Sequence, residues 1–446
     1  MGQGADVGTQ PPSKGFIAGV KPYIEGGPLA AFFLGISSAL VYTMLAATMT
    51  QRLSESGISK KSISAFALAL SLYSFKPLWA PFVDKWNIPV LTRLVGHRRS
   101  WLIVIGAATA LSLINLALPN PKGAIGTLAI AAIIAGFCGA TFDIIIDAYR
   151  IEMLKPHQLG ASAGMSQYGW RFGATTASSL ALIVATRSNW TWAYIASALL
   201  VLPAILTSLV LGEPNVRRQP LPNKGVVQFF RELLSPFGEF LRREGGVVVL
   251  AFVLVSRIGD TMSNLMVRDL FHTLGYTKPE ILYGDVWFGL IALFIGIFAG
   301  GVLYARLGLK HAVLVSLILM PCVNFGFGIL ALIGHNMPAM ITVNSFENFG
   351  AGVSGVVMVA YLSALCNLNY TASQFALLSA AAAILGRFLT ASSAGALIEA
   401  LGYFNFYTVT ACLSLPGIFI YIGMLRSGLV DKSIGTVGAV TTKELQ

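Results

Sequence analysis

The charges in this chain are so unevenly spaced that twelve stretches of about 20 residues or more pass almost without one. They fall at 28–50, 62–83, 100–119, 124–147, 160–186, 190–212, 246–271, 281–305, 311–334, 338–366, 371–399 and 402–425. A bilayer core about 30 Å thick is crossed by about 20 apolar helical residues. Because it holds no water, every backbone N–H and C=O must be paired within the segment. The pattern therefore predicts an all-α polytopic membrane protein with twelve transmembrane helices and the lipid bilayer as its solvent. Only 11% of the residues are charged, against roughly 25% in soluble proteins. The formal charge of +11 raises the possibility of nucleic acid, but the basic residues are scattered through short polar gaps with no aromatic-interleaved patch, so no nucleic-acid partner is expected.

The longest polar stretch divides the runs six and six. The expected plan is a tail at 1–27, a six-helix bundle at 28–212, a linker at 213–245, a second bundle at 246–425 and a tail at 426–446. The linker is expected to carry an amphipathic helix at 226–243 lying on the membrane surface. With both termini in the cytoplasm, 19 of the 30 Lys and Arg fall on the cytoplasmic side, 7 outside and 4 within runs. That bias follows the positive-inside rule, with Arg52, Lys60 and Lys61 against the trend. The halves also echo each other. WRFGATTASSLAL (170–182) resembles GRFLTASSAGAL (386–397), and VDKW…GHRRSW (83–101) has a counterpart in YARLGLKHA (304–312). Such a parallel six-plus-six duplication is the build of major facilitator transporters, whose cavity lies between the halves at mid-membrane. A monomer is expected.

A charge at bilayer depth costs at least about 2.5–3.5 kcal/mol, so each one needs a reason. In ATFDIIIDAYRIEML (140–154), Asp143, Asp147 and Arg150 share one helical face. The aspartates either share a proton or form a static cluster with Arg150. Asp143, one turn deeper, is the candidate for proton or substrate handling, and Asp147 with Arg150 is expected to fasten the helix end. Glu152 points to the other side and is expected to face a loop. In SRIGDTMSNLMVRD (256–269), Arg257, Asp260, Asn264 and Arg268 make a polar stripe that would line a cavity. In VNSFENFGAG (343–352), Asn344, Glu347 and Asn348 share a face, and Glu347 has no basic residue within one turn. Asp143, Asp260 and Glu347 are the proton-coupling candidates.

Arg171, with Gln167 and Tyr168 beside it, and Arg387 occupy matching places in the two halves. Guanidinium keeps its charge and binds carboxylate or phosphate bidentately, so two such groups facing a cavity suggest an anionic solute. The alternative is that they bridge to Asp143 or Glu347. Lys76, Asp84 and Lys85 in SFKPLWAPFVDKW (74–86), with Arg98 and Arg99, read as a latch between the halves. Cys138, Cys322, Cys366 and Cys412 all lie in apolar runs without metal-type spacing, so no metal site is expected. No nucleotide-binding loop, zinc triad or HExxH motif is present, so no enzymatic activity and no cofactor is expected, and an ion gradient is the expected energy source.

Several strings are more specific than this general pattern: FKPLWAPFVDKW with GHRRSW, ATFDIIIDAYRIEML with QLGASAGMSQYGWRFG, RIGD, GGVLYARLGL, SFENFGAGVSGVVMVAYLSALC, and SQFALLSAAAAILGRFL. In this order they resemble the AmpG-type muropeptide permeases, a branch of the major facilitator superfamily. The resemblance implies proton-coupled import of anhydro-muropeptides, which are anionic glycopeptides, across the bacterial inner membrane. It places the family's membrane acids on Asp84, Asp143, Asp147, Asp260 and Glu347, and its basic positions on Lys76, Arg150, Arg171, Arg257 and Arg387. Such a solute would suit fixed cations, the amides of Gln167, Asn264, Asn344 and Asn348, and the aromatic faces of Tyr168 and Trp170. The chain departs from the family at Arg257, where Lys is usual, at Phe142, and at Ser38–Leu40 in place of Gly-Leu-Pro. Another large anionic conjugate, like a CoA thioester or a siderophore, and a non-transporting sensor or assembly factor on the same fold, are the alternatives.

Overall fold

The computed structural model describes residues 19–59, 66, 68–216 and 226–437, without the side chains of 68, 226–233 and 383–392. Lys60, Lys61 and the side chain of Arg387 lie outside the described residues. Among the described residues every regular element is helical. We number the helices that correspond to the twelve runs α1 to α12. The uninterrupted ones are α3 His97–Ala117, α4 Ile125–Glu152, α5 Leu159–Arg187 and α10 Met337–Ala364. Helix α1 spans Gly26–Glu55 with a wider turn at Met44–Thr48, and α6 spans Trp190–Leu211. Helix α7, Gly246–Thr273, is interrupted at Arg257.

The remaining helices are shaped by proline and glycine. Helix α2 is a chain of short pieces, Leu68–Ser71, Leu72–Ser74, Lys76–Leu78 and Ala80–Lys85. Pro77 and Pro81 lack the N–H that a continuous helix needs there. Helices α8 (278–307) and α9 (309–333) run on as one helix until Gly308 leaves helical geometry at φ 69°. Gly402, at φ 75°, divides α11 (371–401) from α12 (403–426) in the same way. A side chain at either glycine would be strained.

Among the described residues seven stretches qualify as spans by length and apolarity alone, or eight if the bent pair of α10 and the first part of α11 counts as one. Part of the shortfall from twelve has physical causes: α2 is broken, α8 and α9 merge into one stretch, as the end of α11 does with α12, and α5 carries Ser, Gln, Trp and Arg where a simple span would carry Leu.

One buried apolar cluster is built from α1 to α6, with Ala372 and Ala376 added from α11. Two others are built from α7 to α12, with Ile151, Leu159 and Ala163 added from α4 and α5. Small residues set the closest crossings. A Cβ on Gly169 would lie 1.9 Å from the Phe32 carbonyl, and one on Gly35 would lie 2.4 Å from that of Ser166, so α1 and α5 touch backbone to backbone.

The linker carries a helix, Val226–Arg242, as expected. Its second half is docked on the protein. Phe240 is fully buried in the core shared by α7 to α12. Lys85 of α2 donates to Ser235 at 2.7 Å, and Gln374 of α11 donates to the Pro236 carbonyl at 3.2 Å and to Glu239. Arg243 donates to the carbonyls of Leu365 (2.6 Å) and Ser433 (2.9 Å). Buried polar groups need partners, and at the ends of α10 and α11 the linker supplies them. The ends of α2, α4 and α10 and the starts of α3, α5 and α11 gather at this linker side.

Candidate transport site and gate

The break in α2 turns Lys76 toward α4. Lys76 pairs with Asp143, and Ser38 of α1 donates to the same carboxylate. Lys76 also lies 5.1 Å from the centre of the Tyr73 ring. It therefore belongs with the membrane acids and not with the latch at the end of α2, a correction to the grouping expected from sequence. The aspartates of α4 each have their own cation, since Asp147 accepts from Arg150 at 3.3 Å. Arg150 is 2% exposed and lies over Phe375 of α11 at 5.6 Å, which ties α4 to the opposite half.

Aromatic rings continue from Tyr73 to Tyr42 and from Tyr42 to Trp170, with centroids 5.7 and 6.2 Å apart. Arg171 lies 5.4 Å from the Trp170 ring and makes no ion pair among the described residues. It faces a cleft of about 650 Å³ between α1, α5 and α8, whose wall includes Phe32, Tyr168, Leu290 and Phe294. Tyr168 donates to the Phe294 carbonyl at 2.5 Å, and Gln167 Nε2 is buried without a partner beside Gly355 of α10. A fixed cation among aromatic faces is suited to an anionic ligand with a ring to stack.

In the second half, the break in α7 leaves Arg257 at the junction and Asp260 in the first turn of Ile258–Thr273, where the helix dipole favours an acid. The two pair at 3.4 Å, and the Asn264 amide donates to Asp260 at 3.3 Å. Glu347 is 5% exposed and has no ion pair among the described residues; its electrostatic neighbours are Asn264, Asp260 and Asp285. Asn344 donates to the carbonyls of Gly284 (3.2 Å) and Asp285 (3.4 Å), and Asn348 donates to that of Asn344 (3.0 Å). The Asn344 amide holds α10 against α8, and the Asn348 amide bonds within α10. Sequence reasoning passed over Asp285, although an acid inside the run 281–305 was a legible signal, and its partner, Arg268 of α7, lies 2.5 Å away.

At the linker side the latch is assembled around one guanidinium. Arg98 bonds Asp84 at 2.6 Å and Glu152 at 2.7 Å, and all three side chains are fully buried. Glu152 is thus no loop-facing charge. The face of α4 opposite Asp147 packs on the start of α3, so Glu152 meets Arg98 there. Asp84 also accepts the N–H groups of Ala372 (3.1 Å) and Ser373 (2.8 Å) and the Ser373 hydroxyl (2.5 Å). These are unsatisfied donors at the start of α11, where a carboxylate is favoured. Glu213, just past α6, does the same for α3 through the N–H groups of Arg98 (2.8 Å) and Arg99 (3.0 Å). Tyr23 to Ile297 (3.3 Å) and Tyr304 to Pro156 (3.3 Å) add further bonds between the halves. The linker side is closed.

The sequence profile of the Major Facilitator Superfamily matches residues 29–256. The chain belongs to that superfamily. Over 394 residues this facilitator is 32% identical to a putative transporter, AmpG 4, of Rickettsia conorii, covering 87% of this chain and 94% of the relative. It is 29% identical over 391 residues to the anhydromuropeptide permease of Escherichia coli K12, covering 87% and 78% respectively. Among solved structures, the human organic anion transporter MFSD10 superposes with a TM-score of 0.62 at 16% identity, covering 89% of this chain and 99% of that one. The proton:xylose symporter XylE superposes at 0.59 and 14%, covering 91% and 95%. These likenesses establish the fold, a multi-pass membrane transporter of the facilitator type.

The closed linker side of this facilitator makes a prediction. Hydrogen bonds to a charged group are worth about 1.5–3 kcal/mol each, so Asp84→Asn is expected to shift the population toward an open linker side by about tenfold or more. Cys366, a free thiol 0% exposed at the end of α10, reports this. With the other three cysteines replaced by serine, maleimide labelling of Cys366 should rise in the Asp84→Asn protein. Unchanged labelling would show that Asp84 does not hold the closure.

Proposed function

We propose that this transporter imports anhydro-muropeptides into the cytoplasm across a bacterial inner membrane, driven by the proton gradient and working by alternating access as a monomer. Its linker side would then face the cytoplasm, and the moving bodies would be 28–212 and 246–425. The observation that carries the substrate is the similarity, over 87% of the chain, to a relative named for that solute. The cleft at Arg171, with Tyr168 and Trp170, offers the cation and ring faces that an anionic sugar–peptide conjugate needs. Glu347 supports the coupling: it is a buried carboxyl inside a transmembrane helix with no cation beside it among the described residues, and intramembrane acids of this kind mark ion pathways. Asp143 and Asp260, each with a cation, complete the set of coupling candidates. Protonation would bias the two access states only through different affinities for the proton in each.

Uptake of labelled anhydro-muropeptide into proteoliposomes, with and without an inward proton gradient, tests the reading. Accumulation that collapses without the gradient is expected. Flux independent of the gradient would remove the coupling. Absence of flux, with uptake of a CoA thioester or a siderophore in its place, would reassign the substrate.

A further inference from the structure

Asp285 lies at the opposite end of the bundle from the latch, where α8 opens with wider π-type turns over Leu282–Phe288. Such turns are rare and concentrate at functional sites. They leave backbone carbonyls without their usual partner, and the Asn344 amide of α10 takes up those of Gly284 and Asp285. Gly289 follows at once, with no room for a side chain, because a Cβ there would lie 2.9 Å from the Asn348 amide and 3.0 Å from that of Asn344. The α8–α10 contact therefore fixes where Asp285 stands.

Three observations give that place a meaning. Asn344 and Glu347, three residues apart, share a face of α10. Asn344 thus ties the backbone of Asp285 to the face of α10 that carries Glu347, and Asp285 is one of the electrostatic neighbours of Glu347. Counting 1.5 Å per residue from the helix starts, Asp285 is about 10 Å in and Glu347 about 15 Å in from the side opposite the linker, so Asp285 is the shallower acid. Exposure falls along the same line, from 66% for the Arg268 side chain to 14% for that of Asp285, and Glu347 is 5% exposed as a residue. The Arg268–Asp285 contact is close but open on its arginine side. Arg268 Nη2 lies 2.5 Å from Oδ2, yet that oxygen receives no directed hydrogen bond. An ion pair with one partner so exposed is worth at most about 1 kcal/mol.

We propose that Asp285 is the outer carboxyl of the proton path, relaying protons between the medium on the side opposite the linker and Glu347. The proton is taken from water onto a carboxylate oxygen of Asp285, and the neutralised acid releases Arg268 to solvent. The proton then passes to the Glu347 carboxylate, and Asp285, again an anion, recovers Arg268. Among the described residues Arg268 of α7 and Asn344 of α10 contact Asp285, and Glu347 of α10 has both Asp285 and Asp260 of α7 as electrostatic neighbours. Asp260 is held by Arg257 and Asn264, which leaves Glu347 as the acceptor.

This inference rests on the proton-coupled reading above, and its test separates the two. In proteoliposomes loaded with unlabelled anhydro-muropeptide, counterflow exchange needs no net proton movement, whereas accumulation against a gradient does. For the full chain carrying Asp285→Asn, the initial rate of gradient-driven accumulation is expected to fall by about a hundredfold, the low end for removing a positioned proton carrier. Counterflow should persist, and Asp285→Glu should restore accumulation. Accumulation unchanged in Asp285→Asn would overturn the relay. Loss of counterflow together with accumulation would overturn it too, by making Asp285 a structural or solute-binding residue. Wild-type accumulation that ignores the proton gradient would defeat the coupled reading, and the relay with it.

Discussion

Replacing Arg98 with alanine is expected to destabilise the protein by about 3–5 kcal/mol, the cost of breaking a buried ion pair by removing one partner. Arg98 holds two carboxylates at once, and the side chains of Asp84, Arg98 and Glu152 are all fully buried. Alanine would leave two desolvated carboxylates without the guanidinium between them, and the donors at the start of α11 bond Asp84. The unfolding midpoint of detergent-solubilised protein should therefore fall steeply. Glu152→Gln in the same background should recover part of the loss, because it removes one of the two buried carboxylates that Arg98 neutralises. Additive losses from Arg98→Ala and Glu152→Gln would contradict the triad, since residues that share one network must couple.

The second large effect concerns Glu347. Glu347→Gln keeps the size and the hydrogen-bonding capacity but cannot exchange a proton. If Glu347 carries the coupled proton, gradient-driven accumulation should fall by about a hundredfold or more. The Asn264 amide beside it can bond to Gln as well as to Glu, so the fold should hold, and counterflow is the readout that shows it. The parallel substitution Asp143→Asn is expected to behave differently. Asp143 pairs with Lys76 and accepts from Ser38, so its loss strands a partly buried ammonium and should depress counterflow and accumulation together. Normal accumulation by Glu347→Gln would leave the buried carboxyl as a packing feature of α10 and move the coupling role to Asp143 or Asp260.

Legibility of the site followed the range of the interactions. Pairs within one helix could be read from spacing: Asp147 and Arg150 stand three residues apart and meet as expected, and Arg257 and Asp260 meet at the same spacing. Pairs between helices could not. Lys76 looked like part of the latch because it lies in the same string as Asp84, yet two prolines break α2 and turn it toward Asp143, 67 residues away. Glu152 was dismissed because only its own helix face was considered, and the face it occupies is covered by α3. Asp285 was a visible charge in an apolar run, but its partners come from α7 and α10. Ser38, in a family-departing tripeptide, became meaningful only once α1 lay against α4.

Hydrophobic spacing alone was enough to specify an all-α membrane protein, because a bilayer forces each apolar run to satisfy its own backbone. It also placed most of the charges that would need a reason to be there. Tertiary structure decided which charge answers which. The choice depends on where prolines and glycines break the helices, and on which faces then meet. At the latch it made one guanidinium serve two carboxylates, and it joined one of those carboxylates to the start of a helix nearly 290 residues further along the chain.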